Sequence, residues 1–155
     1  MTQNNFPFPS DGKRYYTWNR YLRNEFGKKV YKVALDAGFD CPNRDGTVAF
    51  GGCTFCSAAG SGDFAGNKVD PIPVQFEKIK TKMESKWKDG LTMAYFQAYT
   101  NTHAPLEVLK EKFEAALACE GVMGLSIATR PDCLPDDVVE YLAELNERTY
   151  LWVEL

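Results

Sequence analysis

Three of the chain's five cysteines fall within one 16-residue stretch, Cys41 to Cys56, which reads CPNRDGTVAFGGCTFC. Eleven residues separate Cys41 from Cys53, and two separate Cys53 from Cys56. Thiolates are soft ligands and nucleophiles, so cysteines this dense point to metal or redox chemistry. A structural zinc ion takes four ligands, commonly as two close pairs. Here there is one CxxC pair, so Cys119, Cys133 or the single histidine, His103, would have to complete such a site from a distance. A thioredoxin-like redox pair opens a helix, yet SAAGSGDFAG follows Cys56 and is a poor helix start. Three unconnected buried cysteines are the plain alternative, although a glycine-rich loop offers little core to bury them in.

A further reading takes the count of three as the functional feature. A [4Fe–4S] cube has four irons, so three cysteines leave one iron free for a chelating ligand. The amino and carboxylate groups of S-adenosylmethionine suit that position. An electron passed into the cube can then break the adjacent C–S bond and leave a 5′-deoxyadenosyl radical. Such a cofactor carries chemistry that no side-chain base could perform.

The rest of the chain must position that loop. Its 155 residues are 45% hydrophobic and 25% charged, with a formal net charge of −3, an ordinary composition for one globular unit. No apolar run approaches the roughly 18 residues of a membrane helix. The start, MTQNNFPFPSDGK, lacks the apolar segment of a secretory signal. Reduced cysteines in the cytoplasm are therefore expected, with no membrane partner. The acidic balance weighs against a dedicated nucleic-acid binder, and no DNA partner is expected.

Residues 1–14 read as a mobile lead-in and 15–155 as one unit. Tyr15, Trp18, Leu22 and Phe26 recur at helical spacing, with Gly27 as a stop. Residues 29–36 read as a strand. From Cys41 to about Val74 the chain is rich in Gly, Pro, Asp and Ser, and loops longer than about 12–15 residues are usually functional. A helix over 75–89, a strand over 92–99, a helix with Leu106, Leu109, Phe113 and Leu117, and a strand over 122–129 follow. A helix with Val138, Leu142 and Leu145 and a last strand in TYLWVEL complete the alternation. That rhythm predicts βα units on a parallel sheet. A closed eight-unit barrel takes about 250 residues, so about four units predict an incomplete α/β barrel and the N-terminal part of a longer protein.

The cysteine loop resembles that of radical SAM enzymes, whose usual signature is CxxxCxΦC with an aromatic residue before the last cysteine. Cys53-Thr54-Phe55-Cys56 matches CxΦC, with Phe55 as Φ, whereas the first spacing is eleven rather than three. A longer resemblance, to the YhcC/YtqA-type subgroup, runs through FGKKVYKVALDAGFDCPNRDG, GGCTFC, FQAYTNTHAP, LSIATRPDCLPDDVV and LWVEL. It implies the N-terminal half of a radical SAM core domain, a partial TIM-like (β/α) barrel in proteins about twice this length. The implied cofactors are a [4Fe–4S] cluster on Cys41, Cys53 and Cys56, and S-adenosylmethionine. The implied partners are a reductase or flavodoxin-type electron donor and a tRNA substrate to be modified.

In a barrel of this kind ligands sit at the carboxyl ends of the strands. Thr100, Asn101 and Thr102 stand where related proteins carry a glycine-rich segment, and offer hydroxyl and amide acceptors to an ammonium group. Otherwise they are a polar strand end before Pro105. Pro131 keeps Arg130 out of helical geometry, leaving a cation that could grip a carboxylate with two nitrogens. Asp132 could accept from ribose hydroxyls or cap the next helix. Resemblance to ATRPD-like segments places both against S-adenosylmethionine. Glu154 is expected to face cofactor or substrate, and Gly51 and Gly52 to let backbone approach the cluster. A zinc-stabilised binding module, completed by Cys133 or His103, is the alternative to this enzyme reading.

Overall fold

The computed structural model describes residues 12–155; the lead-in read over 1–14 therefore lies, as far as residue 11, outside the described residues. The first helix, α1, spans Trp18–Phe26. Tyr15 precedes it, because Thr17 caps the helix by accepting the Arg20 amide on its hydroxyl at 3.2 Å. Gly27 ends it as expected, at φ 69° in the left-handed region, with its N–H on the Arg23 carbonyl at 2.9 Å. A Cβ at position 27 would meet nothing within 4 Å, so Gly27→Ala strains only the backbone. We expect a loss of about 1 kcal/mol, read as a lower urea midpoint at unchanged m-value.

The strands are β1 (Val30–Leu35), β2 (Leu91–Phe96), β3 (Val122–Ala128) and β4 (Tyr150–Glu154). Between them lie α2 (Ile72–Glu84), α3 (Leu106–Leu117) and α4 (Asp136–Arg148), with a short 3₁₀ turn at Pro131–Cys133. The four strands form one parallel sheet in the order β1-β2-β3-β4. The α/β alternation is thus present, and each strand is laid beside its predecessor with no reversal of order.

Two elements differ most from the sequence expectation. The helix expected over 75–89 begins at Ile72, because Pro71 and Pro73 suit a first turn, and it ends at Glu84. Trp87 is consequently off the helix, yet it still packs on Tyr31 with ring centroids 5.6 Å apart. The strand expected over 92–99 stops at Phe96, and Tyr99 takes a positive φ of 62°. That turn sends the Tyr99 amide to the Gly60 carbonyl (2.9 Å) instead of along a strand ladder.

Strand alternation assigns the two sheet faces. Tyr31, Val33, Leu35, Ala94, Phe96, Leu125 and Ile127 point toward α2, α3 and α4 and join Phe76, Leu109, Phe113 and Leu145 in the main core. On the opposite face, α1 covers the amino-terminal ends of the strands: Leu22 packs with Val30 and Met93, bordered by Trp18, Phe26 and Tyr150. Farther along the same face the side chains turn polar, with Lys32, Tyr95, Ser126 and Glu154 linked to one another. Below is a dry plug; above is a hydrogen-bonded layer that opens toward the carboxyl ends of the strands.

Candidate functional site

The long connection after β1 carries the three cysteines and is held by its own backbone. The amides of Arg44 and Asp45 turn back to the Cys41 carbonyl at 2.7 and 3.1 Å. Those of Val48 and Ala49 reach the Pro42 carbonyl at 2.9 and 3.0 Å, and that of Gly52 reaches Asn43 at 2.8 Å. The eleven-residue gap is therefore a closed loop whose two ends meet. Gly51 and Gly52 lie at φ 84° and 81°, which is what lets the chain re-enter beside Asn43. Arg44 fastens the next segment through the carbonyls of Ser57 and Ala58, and the Thr100 amide ties the loop to β2 through Asp40 at 3.2 Å.

This arrangement places Cys41, Cys53 and Cys56 on one cleft of about 570 Å³ at the carboxyl ends of the strands. All three thiols are free. The Asn43 side-chain amide donates to Cys53 Sγ at 3.1 Å, and Ser61 Oγ lies 3.6 Å from Cys56 Sγ. Phe55 also lines the cleft and is 83% exposed. Among the described residues, no three His, Cys, Asp or Glu side chains are gathered closely enough to hold a metal ion as they stand.

The far wall comes from the loop after β3. Arg130 and Asp132 both line the cleft, but the guanidinium already grips a carboxylate, that of Asp132, at 2.9 and 2.6 Å. This pair holds the Asp132 carboxyl below its ordinary pKa, chiefly through the Arg130 hydrogen bond. The pairing also corrects the expected helix cap: Asp132 lies in the 3₁₀ turn, and Pro135 occupies the residue before α4.

The Thr100–Thr102 segment divides. Thr100 lines the cleft, though it is nearly enclosed. Asn101 is fully buried and clamps two strand ends, donating to the carbonyls of Phe96 and Ala128 at 3.0 and 2.9 Å, while its Oδ1 has no partner. Thr102 is nearly enclosed and bonds the Thr129 hydroxyl and the Cys133 carbonyl. The structure thus brings Thr100 to the thiols and gives the other two to the framework.

Glu154 sits on the polar face of the sheet. Its carboxylate accepts from Lys32, from Ser126 (3.1 Å) and from the Tyr95 hydroxyl (2.8 Å). Burial pushes its pKa up, but Lys32, Tyr95 and Ser126 outweigh that and hold it lowered overall. Burial and the same carboxylate push the Tyr95 phenol upward, so it stays a donor. Tyr95 lines the cysteine cleft, which connects this layer to the thiols. Lys32, Tyr95, Asn43 and Arg44 were not singled out from the sequence. The available signal was Lys32 inside an otherwise apolar strand, VYKVAL.

Of the distant ligand candidates, Cys133 is buried, and burial followed by Asp132 pushes its thiol pKa up. Cys119 packs against the main core and donates to the Ala115 carbonyl. His103 Nε2 lies 2.6 Å from Asp45 Oδ2, joining the cysteine loop to the segment after β2. The Asp45 pKa is lowered to about 2, first by the Thr47 amide, then by the Thr47 side chain and His103. A depressed carboxylate adds stability that is present above its unfolded pKa and lost as pH falls through the folded value. Loosening of this loop is therefore expected between about pH 4 and pH 2. Followed by NMR, the Asp45 titration should move upward in His103→Ala while staying below the ordinary carboxylate range.

The chain is 72% identical over 156 residues to the uncharacterized protein YtqA of Bacillus subtilis (strain 168), covering 100% of this chain and 48% of YtqA. It is 39% identical over 135 residues to protein YhcC of Escherichia coli (strain K12), covering 86% of this chain and 42% of YhcC. It is 37% identical over 149 residues to the uncharacterized protein MJ0486 of Methanocaldococcus jannaschii, covering 94% of this chain and 45% of that protein. The chain spans about half the length of the curated relatives it matches. No protein-family model and no solved structure matches it. Among the described residues, no helix is long and apolar enough to cross a membrane.

Proposed function

We propose that the chain is part of a radical SAM enzyme, with Cys41, Cys53 and Cys56 as the ligands of a [4Fe–4S] cluster. The observation that carries this reading is the convergence of three free thiols, Arg130 and Asp132 on a single cleft at the strand ends. A cube offers a different iron to each sulfur, so its ligands line a cleft and need not meet at a point. A lone zinc ion asks for four ligands at about 2.0–2.3 Å, and its proposed fourth ligands are otherwise engaged, His103 with Asp45 and Cys133 in the interior. The zinc-stabilised module is therefore the weaker reading.

When bound, the cluster and S-adenosylmethionine together supply a 5′-deoxyadenosyl radical on one-electron reduction. The chain's own part is to hold and shield. The closed loop from Asn43 to Gly52 presents Cys41 beside the CxxC pair, Phe55 walls the exposed side, and Arg130 offers a carboxylate-binding fork that it would share with Asp132. Thr100 and the phenol of Tyr95 supply hydrogen-bonding groups at the same cleft. The sheet serves as the first four units of a TIM-like barrel whose remainder lies elsewhere in the longer protein. A cytoplasmic location follows from reading the dense, odd-numbered cysteines as reduced thiols. A flavodoxin-type or other reductase as electron donor and modification of tRNA follow the resemblance of the cysteine loop and strand-end segments to the YhcC/YtqA-type subgroup.

Anaerobic purification tests the cluster directly. The expected protein is brown and carries roughly four irons per chain. A colourless protein with one zinc that resists iron–sulfide reconstitution would end this reading. Reaction of the longer protein with dithionite should then release 5′-deoxyadenosine from S-adenosylmethionine, with and without unmodified tRNA as the comparison for substrate.

A further inference from the structure

The eleven-residue spacing between Cys41 and Cys53 raises the question of what makes two distant cysteines act together. Asn43 answers it from both ends of its own residue. Its carbonyl accepts the Gly52 amide at 2.8 Å, which closes the loop one residue before Cys53. Its side-chain amide reaches past that closure to Cys53 Sγ at 3.1 Å. The turn that carries Asn43 is set by Cys41 itself, whose carbonyl receives the next two amides after Asn43. The same residue thus fixes where Cys41 stands relative to Cys53 and aims a donor at the Cys53 sulfur.

A neutral thiol is a weak acceptor, whereas a thiolate accepts strongly, and more so as negative charge accumulates on the metal it binds. Hydrogen bonds to ligand sulfurs are a principal lever on iron–sulfur potentials. Cys56 is differently served: its side-chain neighbour is the Ser61 hydroxyl, at 3.6 Å. Resting on the cluster reading above, we propose that Asn43 is a positioning residue that raises the reduction potential of the cluster through its hydrogen bond to Cys53 while holding the long cysteine loop closed. A residue with a purely structural part would affect stability and leave the potential where it was.

The test is reconstitution of the full chain and its Asn43 variants with iron and sulfide, followed by a dithionite titration monitored by EPR. Asn43→Ala keeps the backbone closure and removes the donor. Its potential should become more negative by about 59 mV, a tenfold weaker preference for the reduced form in a one-electron couple. Asn43→Ser, which keeps a shorter donor, should fall between the two. An Asn43→Ala cluster with the unmodified chain's potential would overturn the inference. If Asn43→Ala takes up no cluster, the near-isosteric and uncharged Asn43→Leu decides: a more negative potential supports the inference and an unchanged one overturns it. Failure of the unmodified chain to take up iron would instead remove the cluster reading and this inference together, before any variant is compared.

Discussion

Cys41→Ala should abolish stable cluster binding, lowering iron from roughly four per chain to near zero after reconstitution and desalting. Cys41 is the residue the eleven-residue spacing makes least obvious, so it is the sharpest test of the site. Its carbonyl, not its side chain, organises the turn toward Asn43, and alanine retains that carbonyl. The fold should therefore survive, with far-ultraviolet circular dichroism unchanged, while the visible absorbance disappears. Cys119→Ala serves as the contrast. That thiol lies against the main core and lines no part of the cleft, so full iron content is expected. A Cys41→Ala protein that keeps its full iron would show that the long spacing does not define a ligand.

Lys32→Met should cost about 2 kcal/mol, between the cost of losing an exposed ion pair and that of breaking a buried one. The Lys32 and Glu154 side chains keep 27% and 32% of their exposure, which places them between surface and interior. Methionine fills similar space but leaves the Glu154 carboxylate with only the neutral donors Tyr95 and Ser126. The damage lies in the uncompensated charge, so Lys32→Met combined with Glu154→Gln should recover most of the lost stability. Urea unfolding of the two single variants and the double measures this as a coupling energy. The pH dependence has a definite sign. The Glu154 pKa is depressed in the fold, so its contribution is present above about pH 4.5 and fades as pH falls through the lower folded value. Without Lys32 that value rises, so less of the variant's stability is lost with acid, and the gap between Lys32→Met and the unmodified protein should narrow as pH falls and Glu154 is protonated.

The polar layer and the cysteine cleft are adjacent because of strand register. Met93 stands opposite Lys32 and Gly124, and Tyr95 stands opposite Ala34 and Ser126. Glu154 follows one row later, opposite Ala128. Small residues at Ala34, Gly124 and Ala128 leave space over which Lys32 reaches across the Tyr95 ring, 3.9 Å from its centroid. No local pattern in any single strand announces this. Each strand contributes one polar residue, and only their alignment makes a network.

The sequence by itself determined the alternation of helices and strands, the Gly27 stop and the long glycine-rich connection. It also placed three cysteines within one 16-residue stretch. These are local properties, carried by side-chain period, by positive-φ glycines and by the chemistry of thiols. Residues that depend on distant partners were not legible. Arg130 was readable as a carboxylate-gripping fork, but its actual carboxylate is Asp132, two residues on, which leaves the start of α4 uncapped by it. Asn101 read as an acceptor for a ligand and proved to be a clamp on Phe96 and Ala128, since its setting depends on where β2 and β3 end together. The eleven-residue gap shows the same division: its cysteines were visible in sequence, but its closure through Asn43 exists only once the backbone has folded back on itself.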